Sequence, residues 1–182
     1  TPTIIEAAQA LYQGHQVEEI SRSDAGAINL ELSSKKIESI IEISKQNHQK
    51  AICFLTGVPG AGKTLAGLNI ANQRLKADES EHSVFLSGNG PLVDVLQQAL
   101  ARNTIEIAKS KGEVAKKTNA ERDAKTFIQN IHHFRDYYLQ SQEIPFEKVV
   151  VFDEAQRAWQ KNQVSNFMKQ KKGIDNFDMS EP

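Results

Sequence analysis

The chain has 182 residues, of which 39% are hydrophobic and 25% charged, with a formal net charge of −1 at pH 7. This length suits one domain with its own core, and the near-neutral charge excludes a global basic field, so any nucleic-acid contact has to be local. One cysteine, Cys53, excludes an internal disulfide framework, and neither a membrane-spanning run nor a secretory signal is visible. We expect a soluble cytoplasmic protein with no membrane partner.

The N-terminal third predicts helices before the first strand. Apolar spacing predicts a short helix within residues 1–19, a polar loop over 21–29, and a helix that runs from a cap at Ser33 or Ser34 to about Gln46. We expect residues 1–31 to form an N-terminal helix and linker, and residues 32–182 to form part of a nucleotide-binding domain.

A phosphate-binding loop follows a predicted strand. Residues 51–56 are apolar and predict a buried strand that includes Cys53, and residues 65–76 predict a helix. Between them lies a complete G-x-x-x-x-G-K-T motif, in which glycines let backbone N–H groups converge on an anion at a helix N-terminus. Lys63 would reach the β- and γ-phosphates of ATP, and Thr64 would hold Mg²⁺. The predicted phosphate-binding residues are Gly57, Val58, Pro59, Gly60, Ala61, Gly62, Lys63 and Thr64.

Strands and helices alternate after the phosphate loop. Residues 83–87 predict a strand, followed by a turn over 88–91 and a helix to about Lys109. The charged stretch 111–125 predicts an exposed loop or a solvated helix. Residues 127–131 predict a short strand with a helix after it, although apolar spacing also fits one continuous helix.

A second motif ends an apolar strand over residues 148–153. Asp153 would reach the Mg²⁺ beside the phosphate loop, and Glu154 would orient and deprotonate the attacking water. Residues 155–170 predict a helix. Of the nearby aromatic residues, Phe134 is assigned to the core, and Trp159 is compatible with either packing or base stacking.

Together these elements predict an α/β fold: a three-layer sandwich with a mostly parallel sheet, of the RecA-like P-loop type. The predicted strands are 51–56, 83–87, 127–131 and 148–153. Right-handed crossovers, and a strand inserted between the two motif strands, favour this topology.

The string D-E-A-Q-R-A-W over residues 153–159, with S-E-P at 180–182, resembles the Schlafen group 3-like DNA/RNA helicase domain family. That family is a branch of the superfamily-one-like P-loop NTPases, and the resemblance covers roughly residues 32–182. The resemblance implies that Gln156 either contacts the γ-phosphate side of the site or links it to the nucleic-acid side. It also implies that Asn89 and Gly90, at the position of helicase motif Ia, touch the phosphates of single-stranded DNA or RNA.

Two departures from the helicase pattern affect these expectations. Lys35 and Lys36 stand where related helicases carry an adenine-reading glutamine, so selectivity for adenine is left open. Motif III, the second motor domain and its arginine finger lie outside this sequence. We therefore expect a fragment of a longer protein, with a missing C-terminal motor domain as its partner and low ATP hydrolysis on its own.

Three functions fit these motifs. The first is the ATP-binding and ATP-hydrolysing motor domain of a DNA or RNA helicase or translocase, with Lys63, Glu154 and Gln156 as catalytic residues. The second is an ATPase switch that controls a partner or an appended nuclease without unwinding. The third is a non-hydrolysing nucleotide-binding module, against which Glu154 argues, while the lack of an N-K-x-D motif disfavours a GTPase.

Overall fold

A computed structural model of the protein describes residues 4–13, 24–77, 82–141, 143–175 and 177–178. Within these ranges the chain forms a small parallel sheet with helices on both faces. The strands are β1 (Ser83–Ser87), β2 (Ile128–Asn130) and β3 (Val149–Asp153). The helices are α1 (Ile4–Gln13), α2 (Asp24–Gln46), α3 (Lys63–Ala77), α4 (Gly90–Ser110), α5 (Lys117–Phe127), α6 (Ile131–Ser141) and α7 (Lys161–Phe167), with a 3₁₀ turn at Ala155–Arg157 and a π-helix at Met168–Lys172.

The strand order is β2-β1-β3, and both pairings are parallel. In register, Ser87 lies opposite Asn130 on one side and Asp153 on the other. The carboxyl ends of all three strands therefore meet at one edge of the sheet, which is where open α/β sheets bind their ligands.

Each face of the sheet has its own apolar cluster, because β1 is the buried central strand and its side chains alternate between the faces. Phe85 faces a larger cluster shared by α1, α3 and α4. Val84 and Leu86 face the other way, toward Ile131 and Phe134 of α6. The described residues thus form a mixed helix-and-sheet fold with layers on both sides, and the sequence prediction of an α/β class is confirmed at this level.

Three of the four predicted strands are present in the structure. β1 coincides with the predicted strand 83–87, β3 lies within 148–153, and β2 is a shorter strand within 127–131. Phe134 lies in the smaller apolar cluster, as expected.

The predicted strand over residues 51–56 is wrong. No strand is assigned there, and Ile52 and Phe54 are 83% and 86% exposed. Cys53, expected in the core, is exposed as well. The physical reason is that a strand needs a ladder partner: among the described strands, β3 pairs with β1 and none pairs with residues 51–56.

The start of α2 also differs from the sequence prediction. α2 is already helical at Asp24, so a cap at Ser33 or Ser34 is wrong, and Ser34 is buried within the helix. The extra turns contain Leu30, which is buried against the phosphate loop. Tertiary contacts of this kind override the weak helix propensity of a polar stretch.

The single helix predicted over 155–170 is divided. It consists of the 3₁₀ turn, a non-helical link at residues 158–160, α7 and the start of the π-helix. The charged stretch 111–125 is likewise split, since α5 begins only at Lys117. None of the helices in the described ranges is both long and apolar enough to cross a membrane.

Candidate nucleotide-binding site

The phosphate loop leads directly into α3, which begins at Lys63. Gly60 and Gly62 have φ values of +79° and +82°, a region that side chains with a Cβ rarely occupy. Gly62 has a second requirement, because a Cβ at this position would lie 3.1 Å from Leu30 Cδ1. α2 therefore packs tightly beneath the loop, and only glycine satisfies both the backbone and the contact.

Lys63 folds back over its own loop. Its Nζ donates hydrogen bonds to the carbonyl oxygens of Gly57 at 2.8 Å and Val58 at 3.0 Å. These carbonyl oxygens carry only partial negative charge, so they attract an ammonium less strongly than ionised phosphate oxygens would. A phosphate bound at the loop would therefore be a stronger acceptor for this ammonium than the two carbonyls.

Thr64 and Asp153 lie 89 residues apart in the sequence and are in contact in the fold. Thr64 Oγ1 donates to Asp153 Oδ1 at 3.0 Å and lies 3.2 Å from Oδ2. The approach depends on Gly67, one turn into α3, because a Cβ there would lie 2.9 Å from Val151 Cγ1 of β3. The glycine lets the helix lie directly on the strand, so the hydroxyl reaches the carboxylate at the strand end.

The Asp153 carboxyl group lies in a partly buried setting. Burial raises the pKa of Asp153 above its ordinary value of 3.8; the Thr64 hydrogen bond lowers it, and the charge of Glu154 raises it further. Burial is the largest of these effects, so the protein alone disfavours the charged form. A divalent cation would favour that form, which makes Asp153 a fitting cation ligand.

Glu154 occupies the left-handed region of backbone space, with φ 57° and ψ 40°. This conformation is uncommon outside glycine and persists only where the surrounding structure fixes it. Gln156 Nε2 donates to the Glu154 carboxylate, and Arg157 Nε lies 3.8 Å from the same Oε2 atom. Gln156 thus contacts the carboxylate that the sequence assigns to water activation.

Asn89 and Gly90 lie where β1 turns into α4. Asn89 is the N-cap of α4: its side chain accepts a hydrogen bond from the Leu92 amide at 3.4 Å, and its own amide donates to Ser87 Oγ. A Cβ on Gly88 would lie 3.6 Å from Arg157 Cβ. The turn that holds Asn89 and the turn that holds Glu154 are therefore neighbours at the same sheet edge.

Comparison with known families identifies a family that this chain matches. Residues 50–179, well over half of the chain, match the sequence model described as Schlafen group 3, DNA/RNA helicase domain. The chain belongs to this family. No curated protein and no solved structure matched the chain.

In this Schlafen group 3 helicase domain, the G-x-x-x-x-G-K-T motif leads into α3 and the acidic motif ends β3. These two elements are in contact. Among the described residues there is no cluster of three or more His, Cys, Asp or Glu side chains that could hold a metal. A nucleotide-bound Mg²⁺ needs no such cluster, since phosphates and water fill most of its six positions. Thr64 and Asp153 fit that limited role.

Sequence reasoning missed one feature of this family domain, the environment of Trp159. Its ring packs against His132 and Phe167, with the Arg135 guanidinium over the ring face. The i, i+3 spacing of His132 and Arg135 places both on one face of α6 and was the available signal. Nothing local indicated that Trp159 would be their partner.

Neutralising Asp153 is expected to stabilise the fold and to remove the carboxylate that the sequence assigns to Mg²⁺. Because the folded-state pKa of Asp153 is raised, the protonated carboxyl group contributes stability that is fully present below the unfolded-state pKa. This contribution is lost as pH rises through the folded-state pKa. Asp153→Asn should therefore raise the Tm at pH 7, with the difference from wild type shrinking toward acidic pH. The Mg²⁺-dependent gain in nucleotide affinity should disappear.

Thermal unfolding from pH 4 to pH 8 and calorimetry with and without Mg²⁺ measure both effects. The exposed Asp123→Asn is the matched control, for which neither change is expected. A lower Tm for Asp153→Asn at neutral pH would show that the carboxylate stabilises the fold instead.

Proposed function

We propose that this chain is the ATP-binding and ATP-hydrolysing motor domain of a DNA or RNA helicase or translocase, built on a RecA-like P-loop fold. The observation that carries the proposal is the 3.0 Å contact between Thr64 Oγ1 and Asp153 Oδ1. It joins a phosphate-loop hydroxyl to a carboxylate 89 residues away in the sequence. Family membership supports the helicase assignment.

In this proposal each residue has one task at the triphosphate. The backbone amides of residues 57–64 bind the phosphate oxygens, and Lys63 leaves its two carbonyl partners to neutralise the β- and γ-phosphates. Thr64 and Asp153 would hold Mg²⁺, which supplies charge stabilisation when bound. Gln156 orients the Glu154 carboxylate through their hydrogen bond.

Glu154 is the proposed general base. It accepts a proton from a water molecule while the water oxygen forms a bond to the γ-phosphorus, and ADP departs with the electron pair of the broken P–O bond. Glu154 directly follows Asp153, the last residue of β3, and its left-handed backbone turns the chain at the strand end. The carboxylates on these adjacent residues would thus act on the metal and on the water separately.

The division into an N-terminal part, residues 1–31, and a motor domain, residues 32–182, stays a prediction. α1 packs in the same apolar cluster as α3 and α4, and residue 31 lies inside α2. We propose that the N-terminal helices brace the phosphate loop, since Leu30 of α2 contacts the Gly62 position.

Single-turnover hydrolysis tests the proposed function. Protein in excess over labelled ATP detects slow turnover, which is expected when residues 1–182 are assayed without an added source of an arginine finger. Slow, Mg²⁺-dependent release of ADP supports the proposal, and stimulation by single-stranded DNA or RNA would identify the motor. Tight ATP binding with no hydrolysis over a day would replace it with the non-hydrolysing binding module, and hydrolysis that single strands do not stimulate would favour the ATPase switch.

We propose a nucleic-acid contact at Asn89 and Gly90, where α4 offers its N-terminal amides to a phosphate. Asn89→Asp should keep the helix cap but place a negative charge beside the phosphate, weakening single-strand binding about tenfold or more at low salt. Asn89→Ser is the matched control, because it also caps the helix but adds no charge. Fluorescence anisotropy with labelled DNA and RNA oligonucleotides, with nucleotide affinity checked in parallel, measures the effect.

Equal oligonucleotide affinity for the Asn89→Asp and Asn89→Ser proteins, with ATP binding intact, would remove this turn from the nucleic-acid site. The turn would then serve only to connect β1 to α4.

A further inference from the structure

The turn that carries Glu154 is weakly supported by its own residues. Glu154 has a left-handed backbone, and Ala155, Gln156 and Arg157 after it are all exposed. A left-handed backbone at a residue with a Cβ persists only when its surroundings determine it. Something outside these three residues must therefore fix the turn.

On its N-terminal side the turn is fixed by the sheet. Asp153 is the last residue of β3 and lies in register with the fully buried Ser87 of β1. Within the turn, the Arg157 amide donates to the Glu154 carbonyl at 2.8 Å, and the Ala158 amide donates to the Ala155 carbonyl at 3.0 Å. These two backbone hydrogen bonds, and the side-chain contacts of Gln156 and Arg157 with Glu154, all lie within one exposed turn. Local contacts of this kind open readily unless the chain beyond them is also held.

On the C-terminal side the first residue with substantial side-chain packing is Trp159. Its ring lies 4.4 Å from the His132 ring and 5.3 Å from the Phe167 ring, measured between centroids. The Arg135 Cζ atom lies 5.5 Å from the Trp159 centroid and 5.4 Å from the Phe167 centroid. A guanidinium next to two neighbouring aromatic rings is held by its attraction to both of them.

Arg135 is itself fixed in place. Its side chain is only 8% exposed and donates to Asp136 Oδ1 through Nε at 3.0 Å and Nη2 at 2.7 Å. The other oxygen of Asp136 lies 3.2 Å from Lys172 Nζ of the π-helix. The rings and charges thus join α6, α7 and the π-helix around Trp159, five residues after Glu154.

We propose that Trp159 is a positioning residue for Glu154. By packing against His132, Arg135 and Phe167, Trp159 holds the C-terminal end of the Glu154 turn, just as β3 holds its N-terminal end. The effect on hydrolysis rests on the proposed function, whereas the effect on the turn does not. A misplacement of about 1 Å in a catalytic group can cost about 100-fold in rate. Loss of Trp159 should therefore slow the chemical step and leave nucleotide affinity unchanged.

Three variants separate these effects: Trp159→Ala, Trp159→Phe and the control Tyr137→Ala. Tyr137 is a 55% exposed aromatic residue on α6 whose ring packs on Tyr138 rather than on Trp159. Three quantities are measured for each protein: amide hydrogen exchange at Arg157 and Ala158 by NMR, affinity for Mg²⁺-ADP by calorimetry, and the single-turnover rate of ATP hydrolysis.

For Trp159→Ala we expect exchange at both amides to accelerate at least tenfold and hydrolysis to slow about 10- to 100-fold, with ADP affinity within about threefold of wild type. Trp159→Phe should restore most of the exchange protection and rate, and Tyr137→Ala should match wild type. Unchanged exchange and rate in Trp159→Ala would overturn the proposal, as would a loss confined to ADP affinity.

A wild-type protein that does not hydrolyse ATP would overturn the proposed function, and the exchange data would still decide the positioning role. If Trp159→Ala does not fold, Arg135→Gln takes its place, because it removes the cation that contacts both rings and keeps the tryptophan. Trp159 is the single tryptophan of the chain, so its fluorescence reports directly on the cluster in that variant. An Arg135→Gln protein with altered fluorescence and unchanged exchange at Arg157 and Ala158 contradicts the proposal.

Discussion

Glu154→Gln is expected to slow single-turnover ATP hydrolysis about 10²- to 10⁴-fold, the usual contribution of a positioned general base. The amide keeps the size of the side chain and a hydrogen-bond acceptor for Gln156, but it cannot take a proton from water. Affinity for Mg²⁺-ATP should stay within about threefold of wild type, because Glu154 is assigned to the water and not to the phosphates. Rapid-quench measurement of ADP release gives the rate, and calorimetry gives the affinity.

Glu113→Gln is the matched control, since Glu113 is an exposed carboxylate in the loop between α4 and α5. It should hydrolyse ATP at the wild-type rate. If Glu154→Gln also retained that rate, the group that activates water would have to lie elsewhere. If it lost affinity and rate together, Glu154 would have a structural role.

Lys63→Ala is expected to weaken ATP binding about 10- to 100-fold, because a charge-assisted hydrogen bond to phosphate contributes about 1.5–3 kcal/mol. The fold should tolerate the change, since the Lys63 ammonium contacts only partly exposed loop carbonyls in the protein alone. Calorimetric titration with ATP at low ionic strength measures the loss, and thermal unfolding checks stability.

Lys50→Ala controls for the removal of a positive charge near the loop, because Lys50 is exposed and lies outside the G-x-x-x-x-G-K-T motif. Its affinity for ATP should equal that of wild type. Equal affinity in Lys63→Ala would exclude the loop as the triphosphate site.

What the sequence predicts well here is local. β1 is a short apolar run bounded by turn residues, and its limits follow from residues 83–87 alone. The phosphate loop is equally local, since its glycines and the start of α3 at Lys63 are set by neighbouring residues. The place of Asp153 at the sheet edge could be anticipated, because it ends the predicted strand 148–153 and ligands bind at the carboxyl ends of parallel strands.

What the sequence could not predict depends on distant contacts. Residues 51–56 have the apolar composition of a strand, but whether they join a sheet depends on a partner edge that no local pattern reveals. The early start of α2 depends on Leu30 packing beneath Gly62. The packing of Trp159 depends on α6 and α7 meeting, and so it required the fold itself.

We propose that the phosphate loop and Asp153 form one Mg²⁺-nucleotide site, and a crystal structure with Mg²⁺ and a non-hydrolysable ATP analogue would test this proposal. Lys63 Nζ is expected to leave the carbonyls of Gly57 and Val58 for the β- and γ-phosphate oxygens. Mg²⁺ should lie beside Thr64 Oγ1 and Asp153, with about 2.0–2.1 Å to each directly bound oxygen. An analogue bound away from residues 57–64, or a metal remote from Asp153, would contradict the account.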